Sequence, residues 1–125
     1  MSVPPDQPAD EARRWLRFAE DDLLSAHTVL EHQDVAFRIA GFLAQQAAEK
    51  ALKAVLAAHD LPVPRVHNLR VLAARLPVPT VELNPDDLDL LNPWITAGRY
   101  PETCGTQRAT RPRSCAWLPS ACSRW

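Results

Sequence analysis

The chain has 125 residues, 46% of them hydrophobic and 23% charged, the make-up of one globular domain with a single modest core. No apolar run nears the roughly 18 residues of a membrane span, and a start containing Pro4, Pro5, Asp6 and Pro8 does not read as a signal peptide, so the chain is expected in the cytoplasm. The net charge of -1 hides a split: the part through Glu102 holds all fifteen acids and ten of the fourteen bases, a net of -5, while the part from Thr103 holds four arginines and no acid.

Residues 1–9 are proline-rich and predicted to be disordered. A first helix is expected from Asp10, as N-cap, to about Leu30. Trp15, Ala19, Leu23, Ala26 and Leu30 recur at spacings of four and three and form an apolar stripe, broadened by Leu16, Phe18 and Val29. Asp22 projects into that stripe. Either it finds a partner there, or the helix is rotated enough for Asp22 to reach solvent at the stripe's edge. Glu31 to Asp34 make a short link that favours an antiparallel neighbour, with Asp34 available as its cap.

The stretch from Val35 to Ala58 has no proline and one glycine and is predicted as the central helix, ending before Pro62. Leu43, Ala47, Ala51, Ala54, Val55 and Ala58 share one apolar arc; Arg38, Gln45, Gln46, Glu49, Lys50 and Lys53 gather opposite. Phe42, Leu52 and Leu56 project among those polar groups, so the helix has a second side to bury, inside a bundle or at a subunit interface.

Val66, Leu69, Leu72, Ala73 and Leu76 predict a shorter third helix ending at Pro77. Asn84-Pro85-Asp86-Asp87 signals the start of a fourth, with Asn as cap, Pro at the first position and acids in the first turn. Its apolar face is Leu88, Leu90, Leu91, Trp94 and Ile95, and Pro93 is expected to bend or interrupt it. Residues 103–125 show no helical or strand period, are divided by Pro112 and Pro119, and read as an irregular basic tail. A change of reading frame in a GC-rich gene would produce such a composition. The tail holds Cys104, Cys115 and Cys122, whose spacing matches no zinc pattern. The fold expected is all-α, an up-and-down bundle of four main helices over residues 10–102.

Four pieces of the chain resemble the HEPN family, the higher eukaryote and prokaryote nucleotide-binding domains. They are Ala19-x-x-Asp22-Leu23-x-x-Ala26, the run Gln45-Gln46-Ala47-Ala48-Glu49-Lys50-Ala51-Leu52-Lys53, His67-Asn68-Leu69-x-x-Leu72, and Arg99-Tyr100-Pro101. The resemblance covers residues 12–101 and implies a bundle that commonly dimerises. It also implies a gene often placed beside that of a small nucleotidyltransferase, with some branches acting as the toxin of a toxin-antitoxin pair. The chain departs from the family in two ways. Ribonuclease members carry an Arg followed four to six residues later by His. Here Arg65-Val66-His67 is too short and Arg17 to His27 too long. Members also continue from the Arg-Tyr-Pro turn into a closing helix over the first two, and no helical pattern follows Pro101.

Six residues stand out as candidates for binding a ligand or partner: Asp22, Gln46, Lys50, Lys53, His67 and Arg99. Lys50 and Lys53 are the only lysines and, with Gln46, offer a phosphate or an acidic partner one helix face. The bland reading, a solvated face with Glu49 paired to Lys53, is the favoured one. His67 is the one ready acid-base group, but a lone His argues for packing or capping before catalysis. Arg99 either steadies the turn or binds phosphate beside Lys50, the turn being favoured. No catalytic set, metal site or cofactor is assigned. The net acidic body argues against DNA. The expectation is therefore a helical protein that binds a nucleotide, a small nucleotidyltransferase or both, as a homodimer and without ribonuclease activity. A ribonuclease toxin with a non-standard site and a plain helical interaction module are the alternatives.

Overall fold

The computed structural model describes residues 7–77 and 82–98. Arg99, Tyr100, Pro101 and the tail lie outside them, so the expectations for Arg99 and for a missing closing helix rest on sequence alone. Five helices follow in order: α1 (Pro8–Glu31), α2 (Phe37–Ala58), α3 (Leu69–Ala74), α4 (Pro85–Leu91) and α5 (Trp94–Ala97), with no strand among the described residues. The all-α bundle is as expected.

Helix α1 begins two residues before the expected Asp10. Pro8 takes the first position, where its fixed φ suits the helix and its missing N–H costs nothing, so Gln7 is the N-cap and Asp10 falls in the first turn. There Asp10 accepts a 3.0 Å bond from Arg13 Nη1. Asp34 does not cap α2 either, because the N-cap is Ala36 and it makes no side-chain bond. The third helix is shorter than its apolar pattern: Asn68 accepts from the N–H groups of Arg70 and Val71, which sets the start at Leu69. The Asn84 cap and Pro85 start of α4 are as read. Pro93 ends α4 and leads into α5.

Helices α1 and α2 run antiparallel, with Trp15 beside Lys53 at one end and Leu30 clustered with Phe37 and Ala40 at the other. That second cluster is sealed by Trp94, whose ring meets Phe37 edge-on with centroids 5.7 Å apart. Gly41 makes this possible, since a Cβ there would stand 2.5 Å from the Trp94 ring.

The larger core lies on the other side of α2. Leu52 and Leu56 pack with Leu69 and Leu72 of α3 and Leu88 of α4. The second burial direction of α2 is thus covered, at Leu52 and Leu56, by the chain's own short helices, while Phe42 stays half-buried. Among the described residues most exposed large apolar side chains sit on α1, with Val35, Val71 and Leu90 elsewhere. Of the α1 stripe only Ala19, Ala26 and Leu30 are buried, while Leu16, Phe18 and Leu23 are exposed. Between the middles of α1 and α2 runs a groove of about 310 Å³ bordered by Leu16, Leu23, Ala44, Ala48, Ala51 and Leu91. No helix among the described residues is long and apolar enough to cross a membrane.

Candidate functional site

The polar arc of α2 is not a solvated face. Gln45, Glu49 and Lys53 are 0%, 4% and 5% exposed, which overturns the favoured reading of Glu49 and Lys53 as a surface pair. Residues four apart lie one above another on a helix, so three polar side chains form a column, and burying it requires that every group in it be bonded.

Glu49 is the hub of that column. Lys53 Nζ donates to its Oε1 at 2.8 Å, and His67 Nδ1 lies 3.1 Å from both carboxylate oxygens. Gln46 Nε2 and Gln45 Nε2 reach Oε2 at the longer distances of 3.4 and 3.5 Å. Gln45 Nε2 also donates to the His67 carbonyl at 3.0 Å, and Gln46 Nε2 to Gln45 Oε1 at 2.8 Å. No buried side-chain nitrogen or oxygen among the described residues lacks a partner. Burial pushes the Glu49 carboxyl toward its neutral form, but the hydrogen bond and charge of Lys53, followed by those of His67, outweigh it and hold its pKa below the ordinary glutamate value. Glu49 is therefore ionised at neutral pH.

Trp15 closes the lower end of the column. Lys53 Nζ sits 5.3 Å from the centre of its ring, a cation–π contact that gives the buried ammonium a second favourable neighbour. One turn away, Lys50 pairs with Asp22 of α1, both only partly exposed. Of the two readings of Asp22, the structure realises the one with a partner.

His67 lies in the segment between α2 and α3, held by both its backbone carbonyl and its ring. Its side chain is 62% exposed although its Nδ1 faces the buried Glu49. The neighbouring Asn68 fixes the same segment from the other side. Its Oδ1 caps α3 and accepts from Asn92 Nδ2 at 3.2 Å, while Asn92 Oδ1 takes the Leu69 N–H at 2.8 Å.

Five of the six candidates are described, and Asp22, Gln46, Lys50, Lys53 and His67 all fall in or beside this cluster. Arg99 lies outside the described residues. Gln45, Glu49, Trp15 and Asn92 belong to the cluster without having been singled out as site residues. Gln45 and Glu49 carried a signal in the Gln-x-x-x-Glu-x-x-x-Lys spacing, one polar group per turn on a helix that also has leucines to bury on that side. Asn92, joined to Asn68 across 24 positions of sequence, carried none.

Electrostatically the cluster is closed. Two carboxylates, Asp22 and Glu49, answer two ammonium groups, Lys50 and Lys53, so neither lysine is an idle cation awaiting a phosphate. The group that faces outward is the His67 ring. Compared with known proteins, the chain matches the family model for the HEPN domain over residues 12–111, ten residues beyond the Arg99-Tyr100-Pro101 motif. Neither the curated proteins nor the solved structures compared with it gave a match. With the match spanning most of its 125 residues, and with a helical bundle that carries the three motif segments among the described residues, the chain belongs to the HEPN domain family.

Proposed function

We propose that this HEPN domain is a binding module, assembling with a second copy of itself or with a small nucleotidyltransferase through the apolar face of α1, as part of a toxin-antitoxin-like pair. The observation that carries this reading is the uncovered stripe of α1: Leu16 and Leu23, 47% and 44% exposed, border the groove against α2, with Leu24 beyond them at 68%. Exposed leucines at the edge of an apolar groove on a small domain point to association.

A nucleotide is the other ligand of this reading, through Gln46, Lys50 and Lys53. The geometry supports it less, because a phosphate would have to displace Asp22 from Lys50 or enter the buried Glu49–Lys53 pair. A ribonuclease role is weakened by the missing Arg–His spacing. Light scattering of the purified chain, alone and mixed with the product of any adjacent nucleotidyltransferase gene, tests the proposal. A dimer or a complex is expected, weakened in Leu16→Asp and Leu23→Asp. A monomer at high concentration that also ignores the nucleotidyltransferase would reject it, and nucleotide affinity lost in Lys50→Met would favour the nucleotide reading.

A further inference from the structure

His67 presents one ring nitrogen to a buried carboxylate and the other to solvent, and the hydrogen bonds around Glu49 decide which nitrogen carries the proton. Glu49 is ionised and can only accept. Its neighbours Lys53, Gln45 and Gln46 all donate to it, so the 3.1 Å contacts from His67 Nδ1 are made by an Nδ1–H. In a neutral imidazole that leaves the lone pair on Nε2. The ring is fixed in this orientation because the His67 carbonyl is itself held by Gln45 Nε2 at 3.0 Å, and its outer edge is open, the side chain being 62% exposed.

We propose that His67 is a nucleophilic site that accepts a phosphoryl group on Nε2, with Glu49 as the positioning residue behind it. The Nε2 lone pair forms the N–P bond as the bond from phosphorus to the leaving group breaks, the leaving group departing with that electron pair. The donor is a phosphoanhydride or a phosphoramidate. Nδ1 keeps its proton, so the ring gains a positive charge as the bond forms, and the Glu49 carboxylate stands against Nδ1 to neutralise it. A charge that develops only during the reaction, facing a preformed opposite charge, is the arrangement that lowers a barrier. Arg65 and Arg70, both exposed, lie two residues before and three after His67 and give the segment cationic side chains for the phosphoryl oxygens. Arg70 also holds Asp89 through its Nε at 3.0 Å. The site is separate from the α1 face, so its failure and that of the assembly reading are told apart by the experiment.

The full chain is treated with potassium phosphoramidate at neutral pH. Phosphohistidine is located by mapping under non-acidic conditions and by phosphorus NMR, with the exposed His59 as internal reference. His67 is expected to take the phosphoryl group several-fold faster than His59, and on Nε2. The His67 mark is absent in His67→Gln, and in Glu49→Gln the rate falls to that of His59. Equal rates at His67 and His59 in the unaltered chain, or phosphorylation of His67 on Nδ1, would overturn the proposal. Should Glu49→Gln fail to fold, nitrogen chemical shifts of the unaltered chain decide: the Nδ1–H tautomer supports the site and the Nε2–H tautomer rejects it.

Discussion

Leu56 and Gln45 lie on the same helix and both are fully removed from solvent, yet they sit in regions held by opposite means. Around Leu56 the contacts are leucine against leucine, from α2 to α3 and α4, and their strength grows with area and needs no particular atom in a particular place. Around Gln45 each group depends on its neighbour: Gln45 on the His67 carbonyl, Glu49 on Lys53, Lys53 on Glu49 and the Trp15 ring. The leucine region tolerates a change of shape and resists a change of volume. The polar region resists the loss of any one member, because what remains is a buried group without its partner. The second region is therefore the more specific, and it is the one that fixes a side chain with an open edge.

That comparison breaks most clearly at its hub. In Glu49→Ala the buried Lys53 ammonium loses its carboxylate, and a loss of about 3–5 kcal/mol is expected in chemical denaturation. Leu56→Ala should cost about 2–5 kcal/mol by leaving a cavity, and the two losses should differ in kind. The cavity penalty is indifferent to pH. The Glu49 penalty is not, because its folded pKa lies below its unfolded one. The stability this residue contributes is present above the unfolded value and is lost as the pH falls through the folded value. Melting curves of the unaltered chain and of Glu49→Gln should therefore draw together as the pH falls below the ordinary glutamate range, while the gap to Leu56→Ala stays open. A gap to Glu49→Gln that is constant from neutral pH into acid would show that the carboxylate's charge plays no part.

Smaller effects sharpen the boundary between the regions. The Lys50–Asp22 pair is only about a fifth exposed on each side chain, 23% and 20%, so Lys50→Met leaves a largely buried carboxylate without its partner and should cost about 1–3 kcal/mol. His67→Ala should cost least, about 0.5–1.5 kcal/mol, the usual net value of one hydrogen bond, because Gln45 bonds the backbone of that residue and Lys53 still neutralises Glu49. A loss as large as that of Glu49→Ala would make His67 a structural pillar of the cluster.

The leucine region was legible in the sequence because it obeys a period. Leu52 and Leu56 stand one turn apart, Leu69 and Leu72 repeat at three, and Asn84-Pro85 announces α4, all of them local signals. The second burial direction of α2 was legible for the same reason, but its cover was not: whether a helix face is met by another subunit or by the chain's own later helices depends on tertiary geometry. The polar column was misread because helical projection ranks positions by hydrophobicity. It therefore turns Gln45, Glu49 and Lys53 outward, whereas the structure buries them as a mutually bonded set. Asp22 stood out because it broke an apolar stripe; Glu49 was marked only by its four-residue spacing from Gln45 and Lys53. The caps at Asp10 and Asp34 failed for a smaller reason, since Pro8 starts α1 earlier and α2 begins without a side-chain cap.

Glu49 and Lys53 act as a unit inside the protein, and a double-mutant cycle measures that directly. Glu49→Gln, Lys53→Met and the double variant are compared with the unaltered chain by denaturant unfolding at neutral pH. Each single change leaves a buried charge or amide mismatched, whereas the double change leaves two neutral groups of similar size, so it should be less damaging than the sum of the singles by about 2–3 kcal/mol. Losses that add to within about 0.5 kcal/mol would contradict the account and place Glu49 and Lys53 back among independent surface charges.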